Sequence, residues 1–297
     1  MNVCVEKQDV QRVYQKKSQI EEIWTRYKRN KLALFGLILF LVMCAAALLA
    51  VFALDYNTDV VNQNLSIRFQ GPSAEHWFGT DHFGRDIFAR ILWGAKISMF
   101  IGMASVLMSL VVGTTVGAMA GYYGGKFDEI SMRLMDVVLA VPETLLAICI
   151  VAALGNSMIN ILLAISVGQV PKMARMVRST VLTIKDVEYI EAAKSCGTSN
   201  ARIIFRHILP NAIGPIVVNA MLTVSRAILQ VASLSFIGLG ISPPTPEWGN
   251  MLAEARQYIR DYPYLLAAPG IAIMMTVSSL TLVGDGIQGA LDPKLRD

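Results

Sequence analysis

EYIEAAKSCGTSNARIIFRHILPN, residues 188–211, decides how this chain is organised. It lies between two long apolar tracts, yet it reads as two short polar helices broken by a glycine. Glu188, Tyr189, Ile190, Glu191, Ala192 and Ala193 suit a helix that starts near Asp186. Gly197 stops it, because a glycine just past a helix end takes the left-handed conformation without a Cβ penalty. Thr198 or Ser199 can cap a second helix through its hydroxyl, and Pro210 marks that helix's exit. A helix of about two to three turns is marginal alone, so the first one must pack on something. Ala192 and Ala193 allow close approach, Tyr189, Ile190 and Cys196 supply apolar contact, and Glu188 and Glu191 supply charge. Docking on a partner and a loop folded back on the spans both fit that composition.

The surroundings are membrane. The 297-residue chain is 54% hydrophobic and 16% charged, with a mean hydropathy of +0.51; a soluble chain carries about 25% charged residues. Several windows reach the roughly 20 apolar residues that cross a bilayer. Leu32–Leu54 makes span one, Ile97–Tyr123 span two, Met132–Leu154 span three, Met158–Met176 span four, Ile213–Gly240 span five and Leu265–Gly284 span six. The expected fold is all-α with six transmembrane helices. Residues 1–31 form an N-terminal tail, 32–290 the membrane domain and 291–297 a C-terminal tail. Within the domain lie an outer segment 55–95, the polar hairpin 186–210 and an outer interfacial helix 246–260. The first apolar run follows a long charged tail, so it reads as a retained span and not a cleaved signal. Nineteen basic residues fall on the side of both termini and the hairpin, against five on the other. The positive-inside rule therefore puts both termini and the hairpin in the cytosol.

Ionisable residues within spans are functional candidates by default. Glu143 and Arg226 sit deepest; pairing with each other, lining a path and stabilising helix contacts are all open. Asp136 and Asp285 fall nearer the cytosolic ends, and Lys172 and Arg175 can snorkel to the interface. In span two, Ser105, Ser109, Gly113, Gly117, Gly121 and Gly125 recur every fourth residue. Such a small-residue ridge lets a neighbouring helix approach closely, within this chain or between subunits. Near the far end of the chain, Thr245 can cap a helix with Pro246 in its first position. Trp248, Met251, Leu252, Ala255, Tyr258 and Ile259 then follow helical spacing. Glu247, Glu254, Arg256 and Arg260 would occupy the wet face. Glu247, Trp248 and Arg256 could make a landing surface for an extracytoplasmic protein or brace the interface.

Other chemistry is missing. A net charge of +4 gives no nucleic-acid footprint. Cys4, Cys44, Cys149 and Cys196 form no disulfide framework or metal-ligand set. His207 stands alone as a polar helix residue. GGK at Gly124–Lys126 fails the phosphate-loop pattern twice, at Ala120 and Phe127. The sequence carries no HExxH or GxSxG, so an enzyme is not expected.

The order EAA, three residues, Gly197, then an interval to Leu209–Pro210 resembles the signature of ABC importer permeases. RHILPN (206–211) resembles the dipeptide, oligopeptide and nickel branch. HWFGTDHFGRDIFARILWGAKIS (76–98), SFIGLGISPPTPEWGNMLAEARQYI (235–259) and GDGIQGALDPKLR (284–296) resemble its second permease. Gln288, Gly289 and Val231 depart from what many relatives carry. The resemblance implies the type I permease fold. Glu188, Tyr189, Glu191, Ala192, Ala193, Gly197, Leu209 and Pro210 would couple to two separate ATPase subunits that bind ATP and Mg, with no cofactor in this chain. It also implies a homologous second permease, an extracytoplasmic binding protein and a prokaryotic cell membrane. Peptides are the implied cargo, with nickel or a metal chelate as the rival. A lone ion-coupled carrier using Glu143 or Asp136 is the rival of another class; it has no need of a docking helix.

Overall fold

The computed structural model describes residues 19–291, and every element among them is helical. Expectations about residues 1–18 and 292–297, including Cys4 and the basic residues of both tail ends, lie outside the described residues. The expected N-terminal tail is partly helix: α1 (Gln19–Arg29) docks Tyr27 into the body, where its hydroxyl donates to the Ala33 carbonyl at 2.9 Å. Asn30 then caps α2 (Lys31–Ala53) by accepting from the Leu32 and Ala33 amides. After an outer segment come α3 (Ile87–Tyr123), α4 (Gly125–Leu139), α5 (Glu143–Leu154) and α6 (Met158–Ile184). The short α7 (Glu188–Ser195) follows, then α8 (Asn200–Arg202) and α9 (Leu209–Phe236), α10 (Trp248–Ala255) and α11 (Tyr264–Leu291).

Four helical runs among the described residues are long and apolar enough to cross a membrane: α2, α3, Asn200–Phe236 and α11. The bent pair α4–α5 makes a fifth if counted as one span. The 27-residue α6 is long enough, but Lys172, Arg175 and Arg178 crowd its C-terminal half.

Several expectations need correction. Span three is not straight, because α4 and α5 meet at 84° across Ala140–Pro142. Pro142 has no amide hydrogen to continue a helix and disfavours helical geometry in Val141 before it. Span two begins at Ile87, where Asp86 caps it by accepting from the Ala89 amide at 2.8 Å. The outer segment is correspondingly shorter. Pro210 does not end the second hairpin helix, which runs on without a break into α9. Wide π-type turns over Ile203–Ile208, with the Leu209 amide reaching back to the Ile204 carbonyl, take up the disturbance a proline causes.

The small-residue ridge from Ser105 to Gly121 belongs to the interior of this chain, whereas Gly125, expected as its last member, opens α4 at φ +58° with empty space around it. A Cβ on Gly113 would lie 2.7 Å from the Met173 Cβ, one on Gly117 2.3 Å from the Ala174 carbonyl oxygen, and one on Gly121 2.9 Å from the Val181 Cβ. Both series of numbers rise together, so α3 and α6 run side by side in the same direction. Ser166 donates to the Ser105 carbonyl at 3.0 Å on the same seam. Ile101, Ile161, Ile165 and Ile228 fill the core around it. Close backbone approach is what such seams supply in lipid, where no hydrophobic effect separates helix from acyl chain.

Candidate functional site

The hairpin is a short helix held at its base and bare on its outer side. Glu188 and Glu191 lie in the first turn of α7 and Lys194 in the last, the favourable order for the helix dipole. Its end is a full glycine-terminated cap. The Thr198 amide donates to the Ala193 carbonyl at 3.1 Å and the Gly197 amide to the Lys194 carbonyl at 2.9 Å. Gly197 has φ +74° with open space around it, so the backbone conformation alone demands glycine. Ser199 stands at the expected cap of α8, but its hydroxyl makes no capping bond. Val187 precedes α7, likewise without a side-chain bond.

Ile190 is fully buried among Val181, Ile203, Ile204 and Ile208. It anchors α7 and is unavailable for docking, contrary to the sequence expectation. Ala193 and Leu209 flank the same cluster, half-buried. Asn211 donates to the Tyr189 hydroxyl at 3.2 Å, and the Tyr122 hydroxyl donates to Asn200 at 2.9 Å. Glu188, Tyr189, Glu191, Ala192, Cys196, Gly197 and Pro210 are exposed. The result is a fixed surface of about two turns carrying two acids, a phenol and a small-residue step.

The span charges are arranged differently from the expectation. Glu143 pairs with Lys172, Asp136 with Arg175, and Asp128 with both arms of Arg178, the last at 2.5 Å. These three ion pairs step along α6 toward its inner end. Lys172 and Arg175 are therefore held by acids of α4 and α5 and do not snorkel alone. Arg226 does not meet Glu143; it bonds the Leu222 carbonyl at 3.4 Å and the Thr223 hydroxyl at 3.3 Å.

At the outer end, Glu247 caps α10 by accepting from the Gly249 and Asn250 amides, and Ser98 donates to it at 3.0 Å. The helix starts at Trp248, so Thr245 does not cap it and Pro246 lies ahead of it. Glu247 and Trp248 are fully buried, with the indole donating to the Ile91 carbonyl at 3.0 Å. They brace α10 on α3 and cannot form a landing surface; Arg256 alone of that trio is exposed, over the Phe236 ring. Glu254 also turns inward, where Arg85 donates to it at 2.8 Å and Arg90 at 3.4 Å. Asp81 takes the Arg85 Nε at 2.6 Å. Burial pushes the neighbouring His82 imidazole below its ordinary range, against the pull of Asp81 and Glu254. Asp81, His82 and Glu254 could in geometry hold a metal, but the two arginines already occupy both carboxylates. Sequence reading missed this cluster, whose only local signal was the charge of Asp81, Arg85 and Arg90 ahead of and within an apolar helix.

Residues 113–297 match the family described as "Binding-protein-dependent transport system inner membrane component". Residues 18–72 match "N-terminal TM domain of oligopeptide transport permease C". A dipeptide transport system permease protein of Alkalihalophilus pseudofirmus is 48% identical over 276 residues, spanning 93% of this chain and 90% of that one. A glutathione transport system permease protein of Pectobacterium atrosepticum is 43% identical, covering 93% and 91%. A di/tripeptide transport system permease protein of Pseudomonas aeruginosa is 39% identical, covering 94% of each. In fold, the chain is similar to the MetNI methionine ABC transporter in inward-facing conformations. That likeness has a TM-score of 0.57 at 18% identity and covers 68% of this chain and 97% of that one.

Proposed function

The chain belongs to the inner-membrane components of binding-protein-dependent transport systems, the permeases of ABC importers, and from that premise we propose that it forms half of a path for dipeptides and short oligopeptides. The names of its relatives support that cargo. The other half is a homologous second permease, two ATPase subunits sit on the cytosolic side, and a binding protein delivers cargo outside. ATP and Mg belong to the ATPases, and this chain catalyses nothing. The setting is a prokaryotic cell membrane. Six crossings with both termini inside follow if α4–α5 is one broken span and α6 the sixth, in keeping with the excess of basic residues on one side.

The carrying observation is α7: anchored by one buried isoleucine, capped at Gly197 and exposed over Glu188, Tyr189, Glu191 and Ala192. A partner groove can grip such a helix, and its rigid joint to α6 and α9 passes the grip on to the spans. Closure of the ATPases then rocks the helices between outward and inward access. Purification in mild detergent from the native membrane tests this. Recovery of a second permease and phosphate-loop ATPases is expected. A chain that came down alone and drove uptake with an ion gradient and no ATP would overturn the reading. Binding protein recovered with the complex separates peptide from nickel cargo by direct titration.

A further inference from the structure

We infer that Glu143, Lys172 and Arg226 form a mid-membrane station that takes the charged ends of a peptide, Arg226 its carboxylate and Glu143 its ammonium. This rests on the reading of the chain as half of a peptide path. Three helices bring these groups to similar depths. Glu143 opens the 12-residue α5, about 18 Å long, so it lies about that far from the outer end. Lys172 stands about 21 Å along α6 from Met158, and on α9 it is Gln230 that meets the Glu143 backbone, with Arg226 one turn away. The hydrocarbon layer is about 30 Å thick, so Glu143 and Lys172 lie within it and Arg226 lies about one helical turn from their level. A charge there is tolerated toward a water-filled cavity and not toward lipid.

The backbone gives an independent indication of that cavity. Below Glu143 the span turns through 84°, and no residue of α4 is buried. Broken backbone at membrane depth is tolerated inside protein or along a water-filled cavity. The Lys172 and Arg175 side chains are each 51% exposed although paired, so the ladder lies on a face that this chain by itself leaves uncovered.

The site is also shaped. Gly168, one turn before Lys172 on α6, leaves the room that the Glu143 side chain fills, since a Cβ there would lie 2.7 Å from the Glu143 Cγ. Gln230 of α9 donates to the Glu143 carbonyl at 3.5 Å. Arg226 lies one turn from Gln230 on the same face of α9, a rise of about 6 Å. An extended dipeptide spans about 7 Å. Arg226 has only a carbonyl and a hydroxyl as partners, and no carboxylate among the described residues pairs with it. Glu143 already holds a primary ammonium, that of Lys172. An arriving peptide ammonium can share Glu143 with Lys172 while Arg226, which has no carboxylate partner before the peptide arrives, takes the peptide carboxylate.

The test uses the whole complex in proteoliposomes with ATP, at binding-protein and peptide concentrations that saturate loading. Uptake of a labelled dipeptide is compared with that of its C-terminal amide, in wild type and Arg226→Met. The same binding protein serves both, so its own preference cancels in the ratio of ratios. Arg226→Met is expected to slow the free-acid peptide about tenfold, the size of one charge-assisted hydrogen bond, and the amide less than about twofold. Arg226→Lys keeps most of the acid preference. Glu143→Gln gives the mirror result, with the N-acetylated peptide spared. Equal losses for both cargoes, or no loss at all, would overturn the assignment. Absence of ATP-driven uptake by the wild-type complex would instead overturn the importer reading, and this station with it.

Discussion

The two ends of the molecule are built to opposite plans. At the α10 end, charges are buried: Arg85 and Arg90 are about 1% exposed and clasp Asp81 and Glu254, although the Nε and Nη1 of Arg90 find no hydrogen-bond partner among the described residues, while Glu247 and Trp248 are buried where α10 begins. At the inner end, ion pairs lie half open and α7 hangs on Ile190. A buried pair gives definition more than stability, and an exposed one contributes about 0–1 kcal/mol. The α10 end therefore draws its ion pairs into the interior of this chain, whereas the hairpin end leaves its ion pairs and α7 largely uncovered.

Stability and transport measurements on the same variants can break that contrast. Trp248→Ala strikes the buried end and should cost about 3–5 kcal/mol, read as a lower unfolding temperature in detergent. A cost under about 1 kcal/mol would mean the outer end is not the rigid one. Gly117→Val forces the α3–α6 seam apart against the Ala174 carbonyl and should cost about 1–3 kcal/mol or more, with reduced recovery of folded protein. Gly197→Ala meets no steric obstacle, only a positive φ, at about 1 kcal/mol confined to the hairpin. Faster amide exchange across α7, with unchanged global unfolding, is its signature. Acidification should loosen the outer end. His82 has a depressed pKa when folded, so above about pH 6.5 both states are neutral and its contribution is complete. As pH falls below that, the unfolded chain takes up a proton the folded site resists, and stability is lost. Replacing His82 with Gln should flatten that part of the pH profile. Finally, Glu191→Arg should leave stability within about 0.5 kcal/mol, yet abolish uptake and ATPase stimulation in the assembled complex. A destabilisation like that of Trp248→Ala would erase the distinction between the ends.

Spans such as Lys31–Ala53 were legible because lipid imposes a length and a composition that no neighbour can excuse. The Gly197 stop was legible because its cause is local. What failed was set by partners distant in sequence. Counting Glu247 and Glu254 as a wet face ignored Ser98 and Arg90 of α3, and Arg85 just ahead of it, which draw them inward. Lys172 and Arg175 read as snorkelling because the acids that hold them come from other helices. The bend at Ala140–Pro142 hid inside an apolar run, where hydropathy alone cannot distinguish a rod from a corner. In the hairpin, Glu188, Tyr189, Glu191 and Ala192, read as docking residues, are exposed, whereas Ile190 faces the core, since in sequence a position facing the core is indistinguishable from one facing a partner.

The glycine seam has a mechanical consequence. At 37 residues α3 is a bar about 55 Å long, locked sideways to α6 over roughly its C-terminal half by close backbone contacts. One extremity carries the arginine clasp, and the other ends beside the joint from which α7 hangs. A tilt of about 5° around its middle carries each extremity through about 2 Å, in opposite directions. Leverage of this kind needs no chain of small rearrangements between the two faces of the membrane, only a stiff beam and a fulcrum.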